Sequence, residues 1–473
     1  MADIQHVVVL MLENRSFDSM LGRLYPGDSD YRGLSLEEMN VCSGAAIRVW
    51  NDTGMDATTA CIPTPDPGEL FTDMNMQLFG DAGRGVGLAS MGGFAQNCAQ
   101  QPSTADGTAK AADVMHYFTP EQVPVISTLA RAFGVCDCWH ASAPCQTWPN
   151  RFFAHTGTAL GHVDNHTFGI PFDAPSVFKL LGGKQKSWRV YYHDMPQSLL
   201  LRDVWLEALL HYRLFDEFLA DARSGALPGY SFIEPRYFTD VLQSLIPNDE
   251  HPPHNVVYGE QLIAEVYNAL RGSPCWDKTL FIITFDEHGG CYDHVPPPAA
   301  VAPDGIVANP YGFEFDAYGV RVPAVIVSPY IPAGSKVRPV ACAGAAPYPF
   351  DHTSIIRTLC EVFALGDGLT ARDKAAPSLM SALTLAAPDN GGPLSIQASA
   401  VQPTAPQVQA RAEAVPNGMQ ASLAAAATLL PDRPPAVSGA ALPQSATPDV
   451  VSYLTVSAAQ AHATARTEQF LGR

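Results

Sequence analysis

The sequence predicts an α/β fold with a mostly parallel central sheet flanked by helices. Three short apolar runs rich in β-branched residues, at 6–12, 279–285 and 322–328, are typical of parallel strands that are buried on both faces. Helical patterns lie between and after them, at 256–271 and 353–364. Strands that alternate with helices along a chain indicate an open, mostly parallel sheet.

Two stretches differ from this pattern. Residues 25–115 are rich in Gly, Asp, Met and Thr with little periodicity, which predicts a long insertion without a core of its own inside a catalytic domain of residues 1–390. The remainder, 391–473, is predicted to be a low-complexity extension, loosely packed over 395–450 and ending in a helix within 453–471. Removal of residues 400–473 is therefore expected to leave the catalytic domain folded.

The charge balance restricts the partners. Acidic residues outnumber basic ones 47 to 28, giving a net charge of -19, and this argues against nucleic acid and against tight docking on anionic membranes. An acidic protein that acts on phosphate esters needs a local cation, which a bound metal ion would supply.

Targeting signals are not apparent. The first residues carry no basic segment, and no apolar run reaches the roughly 18 residues of a membrane span. We expect a cytoplasmic protein without a transmembrane segment, with export lacking a cleavable signal as the alternative.

The 10 cysteines form no pair of CxxC motifs, which argues against structural zinc. Cys42 and Cys61 flank a Thr- and Gly-rich stretch and would be candidates to pair in an oxidising compartment.

Acidic residues follow two of the predicted strands. Glu13 and Asn14 come directly after the first strand, and Asp286 and Glu287 follow the strand at 279–285. Ligands of open α/β sheets bind at the carboxyl ends of strands, so these side chains should lie together. Either pair alone would more often cap a loop or helix, but three neighbouring carboxylates require a cation. Oxygen ligands favour Ca²⁺, Mg²⁺ or Mn²⁺.

A candidate nucleophile lies in the run TWPNRFF, at 147–153. Pro149 suits the first turn of a helix and places Thr147 just before the helix start, where backbone N–H groups and the helix dipole favour phosphate. A metal-bound hydroxyl at this position could attack phosphorus. The alternative is an ordinary N-cap threonine.

His193 and His251 are candidates to donate to a phosphoryl oxygen or protonate a leaving group, although single histidines are more often structural.

Five separated motifs together resemble one protein family, the phosphoesterase family of bacterial phospholipases C, plant non-specific phospholipases C and related bacterial acid phosphatases. The resemblance spans about residues 5–380, and the motifs occur in family order. They are HVVVLMLENRSFDSML at 6–21, TxPNR at 147–151, EHPP at 250–253, the stretch at 266–298 and YPFDHTSIIRTL at 348–359.

The resemblance implies an alkaline-phosphatase-like fold, a single divalent metal ion, and a Ser or Thr nucleophile that forms a phosphoryl-enzyme. His193 and His251 match family histidines that bind the phosphoryl group, His251 through the clearer motif. The implied metal ligands are Glu13, Asn14, Asp286 and Glu287, together with Thr147 as nucleophile and inner-sphere ligand.

One departure from the family pattern concerns the stretch Asp66-Pro67-Gly68-Glu69. Glu69 stands where a family histidine is expected, and this bears on turnover and substrate preference. The extension also does not resemble the C-terminal β-domains of larger phospholipases C.

The function that this implies is a phospholipase C-like phosphodiesterase acting on a phosphate ester, with phospholipid as a candidate substrate. The alternatives are an acid phosphatase acting on monoesters and, supported only by Glu69, a catalytically inactive phosphate-binding protein.

Overall fold

The computed structural model of the chain describes residues 2–80, 88–102, 108–167, 169–340, 348–389, 391–435 and 453–473. The strands are β1 His6–Leu12, β2 Met39–Cys42, β3 Ala45–Arg48, β4 Gly134–Val135, β5 Trp188–Tyr192, β6 Tyr212–Leu214, β7 Tyr230–Glu234, β8 Thr279–Phe285, β9 Ala324–Val327 and β10 Ser335–Lys336. The α-helices are α1 Phe17–Leu21, α2 Phe71–Phe79, α3 Phe94–Gln100, α4 Thr108–Ala111, α5 Pro124–Ala132, α6 Thr147–Thr156, α7 Val177–Gly183, α8 Ala208–His211, α9 Phe215–Ser224, α10 Val256–Arg271, α11 Thr353–Phe363, α12 Ala371–Ala375, α13 Ala405–Glu413, α14 Gly418–Ala427 and α15 Val456–Leu471.

An eight-stranded sheet forms the centre of the protein, in the order β10-β4-β9-β8-β1-β7-β5-β6. Strand β1 pairs in parallel with both β8 and β7, and β5 and β6 continue the parallel half. Helices flank the sheet, and β1 and β8 are apolar and almost wholly buried, as strands covered on both faces must be. The predicted class, a mostly parallel sheet flanked by helices, is confirmed.

The direction of β9 differs from the prediction. The run at 322–328 was expected to be a parallel strand, but β9 pairs antiparallel with β8, with Phe281 opposite Val327. The chain between β8 and β9 contains no described α-helix that would carry it back across the sheet. The next strand therefore starts at the edge where β8 ended and runs the opposite way. An apolar run indicates burial but not direction.

The insertion packs around a cluster separate from the main core, contrary to the sequence prediction, and Tyr292 and Val320 from outside the insertion join it. The hairpin of β2 and β3 and helices α2 and α3 surround a separate cluster of buried side chains. Members of this cluster include Leu34, Cys42, Leu78, Phe94, Met115 and Tyr292. The strands of the hairpin have four residues each and α2 and α3 have nine and seven, so the apolar periodicity was too short to recognise.

The C-terminal segment is not loosely packed where the structure describes it. Helices α14 and α15 pack against each other, and their buried side chains belong to the main core cluster. Phe470 packs on Trp205 with ring centroids 5.8 Å apart, and Gln420 Nε2 donates to the carbonyl of Tyr237 at 2.7 Å. Much of the contact comes from alanines, which give a weak apolar pattern in the sequence. The predicted last helix corresponds to α15, and the domain boundary at 390 stays a prediction.

The nine described cysteines are free thiols, so the pairing considered for Cys42 and Cys61 is not formed. Within the described ranges, no helix has the combined length and apolar character that crossing a bilayer requires.

Candidate active site

The two acidic motifs meet at the carboxyl edge of the sheet. Leu12 and Phe285 are paired in register at the ends of β1 and β8, so the residues after them leave the sheet side by side. The backbone N–H of Asn14 donates to Asp286 Oδ1 at 3.0 Å. Glu13, Asn14, Asp286 and Glu287 are all completely buried. The structure thus brings together the four residues predicted to follow the strand ends.

Close backbone contact holds this junction in place. Asn14 has a left-handed backbone with φ of 54°, which is uncommon outside glycine. Gly289 also has a positive φ, and a Cβ on it would lie 2.2 Å from the carbonyl oxygen of Asn14. A side chain at position 289 would therefore push the loop after β8 away from the loop after β1.

The side-chain amide of Asn14 is oriented by two carboxylates. Its Nδ2 donates to Glu69 Oε1 at 2.6 Å and to Glu287 Oε1 at 2.8 Å. This leaves the amide oxygen facing Thr147, whose Oγ1 lies 3.4 Å away. The amide oxygen and the hydroxyl oxygen are therefore neighbours, as two ligands of one cation would need to be.

Thr147 is the first residue of α6 rather than the residue before it. Gln146 is the N-cap, and its own side chain makes no capping hydrogen bond. The N-cap alternative for Thr147 is therefore wrong. The helix also offers few free N–H groups for an anion, because Pro149 has none and the N–H of Trp148 donates to Asn165 Oδ1 at 2.8 Å. Any phosphate near Thr147 needs positive charge from another source.

Arg151, one helical turn after Thr147, is an important site residue that the sequence analysis did not single out. Its guanidinium contacts Glu13 Oε1 at 2.7 Å and Asp286 Oδ2 at 3.3 Å, and all three groups are buried. The i,i+4 spacing within the TxPNR motif was the available signal, since residues four apart share a helix face.

One guanidinium does not balance the buried negative charge. Burial and the neighbouring Asp286 raise the pKa of Glu13 well above its usual value, and Arg151 opposes this only in part. Burial and Asp286 likewise raise the pKa of Glu287. Glu13 Oε2 is buried and has no hydrogen-bond partner among the described residues. The residues present fit a bound cation, since it would satisfy this oxygen and relieve the repulsion.

Carboxylate and imidazole atoms also converge in two groups within the described structure. Each group offers three ligand atoms that lie within 4.8 Å of one another. Glu13, Asp286 and Glu287 do not form such a group among themselves. The first group is Asp18, Asp293 and His294, and the second is Asp66, Glu69 and His251.

The profile of the Phosphoesterase family matches residues 4–366, which is most of the chain. The chain belongs to the phosphoesterase family. Its relatives include non-specific phospholipase C4 of Arabidopsis thaliana, 37% identical over 403 residues that cover 81% of this chain and 72% of the relative. Phospholipase C A of Mycobacterium tuberculosis is 28% identical over 447 residues, covering 82% and 79%.

Among solved structures, this phosphoesterase resembles a protein in the alkaline phosphatase superfamily from Vibrio parahaemolyticus. The TM-score is 0.29 at 12% identity, with 54% of this chain and 63% of that chain covered. The family match itself confirms the predicted identity and class of enzyme, a hydrolase of phosphoric esters.

The described contacts of His193 do not include another predicted site residue of the phosphoesterase. Its Nδ1 donates to the carbonyl of Glu234 at 2.9 Å, and its ring stacks on Phe215. Burial lowers the pKa of His193 to about 3, so the ring is neutral at ordinary pH. It lines a cavity of about 910 Å³ to which Thr147 does not contribute. The catalytic role of His193 stays a prediction.

His352 positions the loop that follows β8. Its Nε2 donates to the carbonyl of Asp286 at 2.6 Å, which fixes the loop after β8. Gln197 Nε2 donates to Glu13 Oε1 at 2.7 Å and holds that carboxylate from the other side. Neither contact was visible from the sequence, because each joins residues far apart in the chain.

Proposed function

We propose that this phosphoesterase is a metal-dependent, phospholipase C-like phosphodiesterase that uses Thr147 as its nucleophile. The observation that carries the proposal is the position of the Thr147 hydroxyl, which is buried at the start of α6 beside the Asn14 amide oxygen and does not cap the helix. The relatives named phospholipases C support phospholipid as the substrate class.

The proposed metal ligands are those of the sequence analysis, held at the junction of β1, β8 and α6. A divalent cation such as Ca²⁺, Mg²⁺ or Mn²⁺ would supply charge for the phosphoryl oxygens and favour the ionised form of the hydroxyl. Arg151 would keep the ligand carboxylates in place through its contacts with Glu13 and Asp286. The ligand set is Glu13, Asn14, Thr147, Asp286 and Glu287.

The proposed reaction has two steps at phosphorus. In the first, Thr147 Oγ forms a bond to phosphorus and the bond from phosphorus to the diacylglycerol oxygen breaks; that oxygen gains a proton and Thr147 loses one. In the second, a water oxygen bonds to phosphorus, the bond to Thr147 Oγ breaks, and a proton from the water goes to Thr147 Oγ. This releases the phosphorylated head group and restores the hydroxyl.

Removal of one proposed ligand should lower metal content and activity together. Glu13→Gln keeps the shape of the side chain but removes a charge that holds the cation. We expect the purified variant to bind less metal, by elemental analysis, and to lose at least about a hundredfold in turnover, which corresponds to roughly 2.7 kcal/mol. Glu121→Gln, at an exposed position, is the control for the charge change. Full metal content and full rate in Glu13→Gln would contradict the assignment.

Substrate preference separates the proposal from its alternatives. We expect the enzyme to hydrolyse p-nitrophenyl phosphorylcholine, a diester, at least about tenfold faster at low substrate concentration than p-nitrophenyl phosphate, a monoester. The reverse order would indicate an acid phosphatase. A protein that binds metal and phosphate but hydrolyses neither compound, nor a short-chain phospholipid, would be the inactive binding protein.

A further inference from the structure

The group formed by Asp66, Glu69 and His251 lies beside the proposed metal ligands and has no counterpart in the single-metal site that the family resemblance implies. Glu69 Oε1 is 3.5 Å from His251 Nε2, and Asp66 Oδ1 is 3.8 Å from His251 Nδ1. Each of the three residues offers one ligand atom, and these atoms lie within 4.8 Å of one another.

The imidazole of His251 is presented as a ligand. Its Nδ1 donates to the carbonyl of Pro252 at 2.6 Å, so in the neutral ring Nε2 carries the lone pair. The side chain is 0% exposed, and Nε2 has no hydrogen-bond partner among the described residues. Metal-binding histidines are commonly oriented in this way, with the other ring nitrogen donating to a carbonyl. In this tautomer Nε2 cannot donate to a phosphoryl oxygen.

Among the described residues, no arginine donates a hydrogen bond to the carboxylates of this group. Arg15 lies nearby, but its donors go to the backbone carbonyls of Glu250, Ile62 and His254. Asp66 Oδ1 is buried without a hydrogen-bond partner.

The other convergent group, Asp18, Asp293 and His294, differs on this point. Arg321 donates to Asp18 Oδ1 at 3.0 Å and to Asp293 Oδ1 at 2.9 Å, so a guanidinium already supplies the positive charge. That group is an ion-pair network, whereas the group around His251 has no guanidinium bonded to it among the described residues.

We propose that Asp66, Glu69 and His251 bind a second divalent cation, adjacent to the one proposed at Glu13, Asn14, Thr147, Asp286 and Glu287. One imidazole with two carboxylates suits Zn²⁺ or Mn²⁺. The two sites meet at Asn14, whose Nδ2 donates both to Glu69 Oε1 and to Glu287 Oε1. The inference rests on the proposed function because it places the second cation beside a first site that holds a cation.

The chemistry of a paired site follows from this placement. Glu69 stands where the family resemblance predicts a histidine, and the exchange adds a negative charge to the group. Cations on either side of a phosphoryl group can stabilise both the attacking and the leaving oxygen. The substitution at position 69 thus replaces a direct imidazole contact with a cation-mediated contact to the substrate.

Metal stoichiometry tests the second site. The metal-free protein is titrated with Mn²⁺ by calorimetry, and the loaded samples are examined by electron paramagnetic resonance. We expect two Mn²⁺ per chain, with the spin coupling of neighbouring ions. Glu69→Gln and Asp66→Asn should each bind one Mn²⁺ and give the spectrum of an isolated ion, whereas Glu121→Gln should match the wild type. Circular dichroism confirms that each variant is folded, and the two variants report independently.

The outcomes distinguish this inference from the proposed function. Two Mn²⁺ in both the Glu69→Gln and Asp66→Asn variants, or a single wild-type Mn²⁺ that only Glu13→Gln removes, would overturn the second site and leave the first intact. A single wild-type Mn²⁺ removed by Glu69→Gln but not by Glu13→Gln would support the site at His251 and contradict the first ligand set. Absence of bound Ca²⁺, Mg²⁺, Mn²⁺ and Zn²⁺ in the wild type would reject both.

Discussion

Replacing Thr147 with valine should reduce turnover by at least about a thousandfold, equivalent to roughly 4 kcal/mol of barrier. Valine keeps the branched shape of threonine in its buried position but removes the oxygen that would attack phosphorus. Because Thr147 does not cap α6, the loss of about 0.5–2 kcal/mol that accompanies removal of an N-cap should be absent. The valine variant should therefore lose activity without losing stability. Steady-state kinetics measure the first effect and thermal unfolding measures the second.

The serine variant is the matched control for the nucleophile. Thr147→Ser places the same oxygen at the same position and should retain a substantial fraction of turnover. A phosphoryl group on Thr147 should be detectable by mass spectrometry after an acid quench of the wild type during turnover. Retention of more than about a tenth of the wild-type rate in Thr147→Val would contradict the nucleophile assignment, since the barrier would have risen by less than about 1.4 kcal/mol.

Much of the sheet and of the site could be predicted because local patterns determine them. The bounds of β1 and β8 agree with the apolar runs at 6–12 and 279–285. These strands are apolar along their whole length because helices cover both faces. Once two parallel strands are recognised, the residues after them must share one edge of the sheet. This geometric rule placed Glu13 and Asp286 together without any knowledge of their contacts.

The features that escaped prediction depend on contacts between distant residues. The ion pair of Arg151 with Glu13 joins residues 138 positions apart, and the contact between Asn14 and Glu69 joins residues 55 apart. His193 and Glu13 both follow strands of the same sheet, yet the strand β7 lies between β1 and β5. A rule about strand ends places residues at an edge of the sheet but does not determine which of them touch.

The packing of the C-terminal segment also could not be predicted from the sequence. Its composition of Ala, Pro, Gln and Ser resembles that of a linker, and small side chains give little periodicity. Ala424, Ala459 and Ala463 are nevertheless fully buried, because small residues allow the close approach of α14 and α15 to each other and to the body of the protein. Composition describes what a segment could bury by itself, whereas the fold supplies the surface against which it packs.

Deletion of residues 400–473 should therefore prevent folding. The segment contributes six large apolar side chains to the main core, and burial of each stabilises the protein by roughly 1.5–3 kcal/mol. Together they rival the whole stability of a typical domain, about 5–15 kcal/mol. Deletion would also expose the partner surfaces around Trp205 and Tyr237. The six side chains are Met419, Leu423, Leu430, Val456, Phe470 and Leu471.

A single substitution tests the packing of this segment with a smaller change. Phe470→Ala should lower the free energy of unfolding by about 3–5 kcal/mol, because it removes a fully buried ring from its contact with Trp205 and leaves a cavity. Leu454→Ala, at a side chain that is 82% exposed, should change it by no more than about 0.5 kcal/mol. Urea unfolding of the three proteins measures both effects. A truncated protein that remains soluble and active, or a Phe470→Ala variant as stable as Leu454→Ala, would show that the segment does not stabilise the catalytic body.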